Sequence, residues 1–154
     1  MATDTAVKQY PRVGEVFELE LDADVDDNTP LGIVKTLGYD PEDWEFRGAP
    51  LTSKLKGKFM LVKIGAQPNL DAAKAALEDK HGPTPSGQWM RLFKDAYPET
   101  DGNGPVGIAD ASWVYPDDSA RFPCVDYGGW LTFGWAAYYS GEDWRWLVTV
   151  PEGE

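Results

Sequence analysis

Residues 15–24 read Glu-Val-Phe-Glu-Leu-Glu-Leu-Asp-Ala-Asp, and their alternation decides the fold class. Phe17, Leu19, Leu21 and Ala23 fall on one face of an extended chain, and Glu18, Glu20, Asp22 and Asp24 on the other. Successive side chains of a strand point to opposite faces, so this is a strand with one buried side. Upstream, residues 1–13 carry no such pattern and are expected to form a flexible leader. Residues 14–154 are then a single α+β domain, with 14–100 as strand/helix scaffold and 101–154 as an aromatic β region. Downstream, Thr29-Pro30 reads as a helix cap followed by a first-turn proline, and Gly38 as a stop, giving a helix over 31–37. Lys56–Gly65 (KGKFMLVKIG) is a second strand, rich in β-forming residues.

Two more helices follow. Asn69 caps 70–80, where Leu70, Ala73 and Leu77 share a face and Gly82 terminates the run. Ser86 caps a helix through Tyr97, in which Trp89, Leu92, Phe93 and Ala96 form a stripe at helical spacing. From Asp101 the texture changes to short strand candidates at 112–115, 121–125, 130–135 and 144–150, separated by Gly, Asp and Pro turns. The expected architecture is α+β: a mixed sheet with two or three helices and a turn-rich C-terminal β meander.

The chain has 154 residues and a formal net charge of −12. That length holds one sizeable core, and that charge argues against direct binding of a nucleic-acid backbone or of an anionic membrane surface. The charge is uneven: residues 15–45 carry net −10, 46–94 net +6 and 95–154 net −9. The longest apolar run, 130–139, is too short to span a bilayer, and no secretory signal pattern opens the chain. The expected location is therefore cytoplasmic or virion-associated.

The chemical inventory is thin. Cys124 is the only cysteine and His81 the only histidine. No disulfide or cysteine metal cluster is available within the chain, and His81 sits where a helix ends before Gly82-Pro83. No phosphate-loop, dinucleotide, zinc-protease or serine-hydrolase motif is present. Asp22, Asp24, Asp26, Asp27 and Asn28 match the start of a calcium loop but lack its glycine and closing glutamate. Asp101-Gly102-Asn103-Gly104 reads as a turn. Glu142 and Asp143 are adjacent, so in a strand they point apart and would have to lie in a loop to converge as an acid/base pair. No metal, no cofactor and no catalysis are expected.

The tail holds five of the seven tryptophans. Strand alternation sets Leu131, Phe133 and Trp135 against Trp130, Thr132 and Gly134. Tyr138-Tyr139-Ser-Gly-Glu142-Asp143 has the composition of a binding loop, since Tyr and Trp offer contact area at low rotamer cost.

FELELDAD, PLGIVKTLGYD, KGKFMLVKIG, NLDAAKAALEDKHGPTPSGQWMRLF and the closing WRWLVTV, in that order, resemble a set of small uncharacterised proteins of candidate-phylum bacteria and their mobile elements. The tails of that set resemble C-type-lectin-like variable proteins diversified by retroelements. The resemblance implies a C-type-lectin-like fold with framework positions at Leu131, Phe133, Trp135, Arg145, Trp146 and Leu147. It implies variable, ligand-binding positions at Trp130, Thr132, Tyr138, Tyr139, Glu142, Asp143 and Trp144, together with Gly134. Ser140 stands where those tails carry a tryptophan. The expected function is a non-enzymatic binding protein that presents this aromatic surface to a protein or other ligand. The alternative is an acidic phage-type inhibitor that mimics a nucleic acid and blocks a host defence nuclease. It rests on Glu18, Glu20, Asp22 and Asp24, spaced by about 7 Å along one strand face, close to the phosphate spacing of DNA.

Overall fold

The computed structural model describes residues 10–150. The chain is α+β, with three helices around one open, mixed sheet of eight strands. The strands are β1 (Phe17–Asp22), β2 (Glu45–Phe46), β3 (Lys54–Val62), β4 (Val106–Gly107), β5 (Trp113–Val114), β6 (Ala120–Val125), β7 (Leu131–Trp135) and β8 (Arg145–Thr149). The helices are α1 (Pro30–Thr36), α2 (Leu70–His81) and α3 (Trp89–Ala96).

The sheet runs β1-β3-β8-β4-β6, with β7 on the far side of β6. Its pairs are antiparallel except β4 with β8. β5 continues the line of β4 along β6 and pairs in turn with β2. The register on β6 slips by three residues between β4 and β5. Pro123 lies opposite that break. It has no N–H to donate, so a regular ladder on that side fails there, and only its carbonyl is used, by the Ile108 N–H.

Sheet pleating assigns the faces. Val125, Val106 and Leu147 point to the side covered by α3, where Phe59, Leu61, Met90 and Phe93 close the main core. Trp113 and Phe133 extend that side beneath α1, meeting Ile33, Val34 and Trp44. Phe122, Cys124, Trp146 and Val148 point the other way, against Leu70, Ala73 and Leu77 of α2. The result is a sheet with helices on both faces. Gly107 belongs to this packing: a Cβ there would lie 3.1–3.2 Å from the rings of Trp144, Trp146 and Phe122, so hydrogen is what lets the three converge.

Local signals act as the sequence implies. The Thr29 hydroxyl accepts from the Gly32 N–H at 3.0 Å, and Asn69 Oδ1 from the Ala72 N–H at 2.9 Å. Ser86 accepts from the Gln88 N–H, but the helical turns of α3 begin only at Trp89.

Two differences concern organisation. The leader was expected over 1–13; residues 1–9 lie outside the described residues, but Tyr10 is buried against Phe93 and Tyr97, and Val13 bridges Leu61. The packed domain therefore reaches back at least to Tyr10. In the tail, β5, β6 and β7 form an antiparallel meander, whereas β8 leaves it and inserts between β3 and β4.

Candidate functional site

The residues singled out in the tail divide among several environments. Trp130, Tyr138 and Tyr139 are 73%, 64% and 67% exposed. Tyr127, which the sequence reading passed over, is 60% exposed, and Trp135, assigned to the framework, is 37% exposed. Thr132 is half-buried across from Cys124. Glu142 is exposed and Asp143 half-buried. Trp144, assigned to the variable positions, stacks on Trp146 at 5.3 Å between ring centroids and tilts against Phe122. It is a half-buried part of the α2-side core. Of the other framework positions, Phe133, Arg145, Trp146 and Leu147 are buried and Leu131 is half-buried.

Each end of β7 is ordered by its own contacts. At the Trp130 end, the tight turn from β6 is closed by Asp126, whose carboxylate accepts from the Gly128 and Trp130 N–H groups at 3.0 and 2.9 Å. Gly129 takes a positive φ of 84°, which suits glycine. The Tyr127 hydroxyl donates to Asp143 at 2.6 Å, tying this turn to the loop before β8. That hydrogen bond holds the Tyr127 hydroxyl above its ordinary value, and the charges of Asp143 and Tyr139 add in the same direction.

At the other end, Trp135 carries a partner on its ring at both sides. The Arg121 guanidinium sits 3.6 Å from its centroid, and Tyr138 stacks parallel to it at 5.3 Å with 11° between planes. Arg121 also lies 5.0 Å from the Tyr115 ring and pairs with Asp117 at 3.8 Å. Tyr115 meets Trp44, and Trp44 meets Tyr39. A continuous run of rings and one cation therefore leads from buried Trp44 to exposed Tyr138. Residues from three separate stretches build it, so no local pattern announced it. An arginine alternating with tail aromatics was the available signal.

The remaining candidates are structural. Asp22 accepts from the Asp24 N–H, Asp27 pairs with Arg91 at 3.7 Å, and buried Asn28 bonds Arg91 and the Asp22 carbonyl. The Asp22 and Asp27 carboxylates and the Asn28 amide are thus engaged in local bonds. Among the described residues no group of three or more His, Cys, Asp or Glu is placed to hold a metal ion. Burial pushes the Cys124 thiol up to about 12, which leaves it without thiolate character. His81 closes α2. Asp101, read as a turn residue, grips buried Arg145 with two hydrogen bonds of 2.6 and 2.9 Å. Burial pushes Asp101 up, but the bonds from Arg145 and the Asn103 N–H outweigh it and leave the carboxyl below its ordinary value. Ser140 is buried and exchanges both backbone bonds with Gln67 at 2.9 Å, a tight site for the small side chain found there.

The acidic strand face is not a bare strip. In the β1–β3 register Glu18, Glu20 and Asp22 stand opposite Lys58, Lys56 and Lys54. Lys54 reaches Asp22 at 3.7 Å and Lys56 reaches Glu18 at 3.6 Å. Among the described residues no helix is long and apolar enough to cross a membrane. The chain matches no protein-family model, no curated protein and no solved structure.

Proposed function

We propose that the protein is a non-enzymatic binding protein that holds a protein or other ligand on the exposed aromatic surface around β7. The observation that carries this reading is pre-ordering. Tyr138 and Tyr127 are largely exposed, yet one stacks on Trp135 and the other bonds Asp143. Rings fixed before contact lose less rotamer freedom on binding, and aromatic anchors dominate the energy of many interfaces. The binding set is Trp130, Tyr138, Tyr139 and Tyr127, with Thr132, Glu142 and Asp143 at its margin. Trp144 belongs to the support beneath it. The lectin-like scaffold, retroelement diversification, and a cytoplasmic or virion location come from the resemblance alone and are part of the proposal. The nuclease-inhibitor alternative is the less favoured reading, because three of its four acids, Glu18, Glu20 and Asp22, face Lys58, Lys56 and Lys54.

The test is a selection of displayed peptides and small domains against the wild-type protein. Trp130→Ala, Tyr138→Ala and Tyr139→Ala should each abolish capture of the selected ligands while shifting stability by less than about 1 kcal/mol. Ligands that bind all three variants unchanged would remove the reading.

A further inference from the structure

We propose that β7 accepts an added strand: a basic, extended peptide pairs along its free edge. This rests on the binding reading above and narrows it to one ligand chemistry.

The hydrogen-bond parity of β7 sets which groups are free. The Asp126 N–H donates to the Trp130 carbonyl and the Ala136 N–H to the Ala120 carbonyl, each at 3.0 Å. Even-numbered residues therefore bond β6, and in an antiparallel ladder the odd ones turn their polar groups the other way. Leu131, Phe133 and Trp135 direct N–H and C=O to the side where no strand is paired. The Trp135 carbonyl is taken by the Tyr138 N–H at 3.1 Å. Among the described residues no hydrogen bond reaches the backbone of Leu131 or Phe133 on that side.

Edges are usually blunted by charge, proline or a bulge. β7 reads LTFGW, has none of the three, and is flanked by exposed Trp130 and Tyr138. An unpaired edge between aromatic anchors is the arrangement that strand-addition recognition uses, with main-chain bonds for affinity and flanking side chains for selection.

The surrounding charge names the partner. At the Trp135 end Asp117 pairs with Arg121 and Asp118 with exposed Arg47 at 3.4 Å, so the acidic excess lies at the Trp130 end, with Asp126 and Asp143. The bases of residues 101–150 are Arg121 and Arg145, both buried and ion-paired. Lys94 of α3 reaches the Trp130 end, where its ammonium is bound to the Gly129 carbonyl at 2.6 Å. A second copy of this chain would set the same carboxylates against themselves. A strand with lysine or arginine at alternate positions meets them with opposite charge instead.

The probe is a peptide of about nine residues alternating lysine and valine, long enough to cover the strand. One control carries a methyl on every internal amide nitrogen, and another has glutamate for lysine. The plain peptide should bind in a calorimetric titration and slow amide exchange at Leu131 and Phe133. The methylated control should bind at least about tenfold more weakly, a difference of about 1.4 kcal/mol, and the glutamate control not at all. Equal binding of the plain and methylated peptides overturns the proposal, because charge alone would then hold them. Slowed exchange without peptide, rising with protein concentration as a dimer sediments, overturns it in favour of self-pairing. If the lysine peptide fails while library-selected ligands still need Tyr138, strand addition falls and the aromatic surface stands. If those ligands also ignore Tyr138, both fall.

Discussion

β1 and β7 are, with the two-residue β2, the outer strands of one sheet, and they treat an unpaired backbone edge differently. β1 alternates buried apolar residues with Glu18, Glu20 and Asp22, and each acid faces a lysine of β3. β7 carries no charge; Arg121 is buried under Trp135, and exposed Arg47 pairs with Asp118 at the same end. The first edge discourages pairing with a solvated, mixed-charge fringe. The second has no charged residue, and exposed rings stand beside both of its ends. The same sheet thus holds one edge fringed with paired charge and one without it.

The largest expected effect lies on the β7 side. Asp101→Asn removes the ionised partner of buried Arg145 and should cost about 3–5 kcal/mol in urea unfolding, because an uncompensated buried charge remains. The sign with pH follows from the lowered Asp101 value. Its contribution is complete above the ordinary value of 3.8 and is lost as pH falls through the lower folded value. The wild type should therefore lose stability on acidification by an increment that Asp101→Asn lacks. Equal acid profiles would break the contrast between buried and exposed charge.

Next, Trp144→Ala should cost about 2–4 kcal/mol, since its ring supports Trp146 and Phe122, while Trp130→Ala should cost less than about 1 kcal/mol. Similar costs for the two would merge anchor and support. On the β1 edge, Glu20→Gln with Lys56→Met should change stability by less than about 1 kcal/mol, with little dependence on added salt. A large loss there would mean that the lysine row is structural rather than a fringe. The smallest effect is spectroscopic. The raised Tyr127 value means that its bond to Asp143 stabilises fully below the ordinary value of 10.0 and is lost as pH rises through the higher folded value. Ultraviolet titration should show Tyr127 ionising late together with Tyr10 and Tyr97, whose burial raises them, and Asp143→Asn should remove one tyrosine from that late group.

Much of the scaffold was legible because its determinants are local. Alternation in FELELD gives β1, and Thr29 and Asn69 cap α1 and α2 through bonds made within a few residues. β2 and β4, two residues each, were not legible, since only their pairing partners make them strands. The placement of β8 was hidden for the same reason: WRWLVTV fits a meander as well as a sheet centre. At the site, exposure of Trp130, Tyr138 and Tyr139 followed from their position beside turns. The packing of Trp144 was not legible, because it depends on Gly107, 37 residues away, leaving room for three rings. The Trp44–Tyr115–Arg121–Trp135 run likewise exists only once β2, β5, β6 and β7 lie side by side.

The insertion of β8 between β3 and β4 has a consequence for how the molecule is made. The strand that joins the two parts of the sheet is the last of the eight in chain order, and its pairings with β3 span most of the described chain. Until residues 145–149 have left the ribosome, β3 and β4 each keep a raw edge where β8 will sit. Closure of such long-range pairs is slow, and the waiting edges are exposed to other nascent chains. Assembly therefore finishes after synthesis of this segment rather than during it, and chaperone dependence should track the arrival of a single five-residue strand.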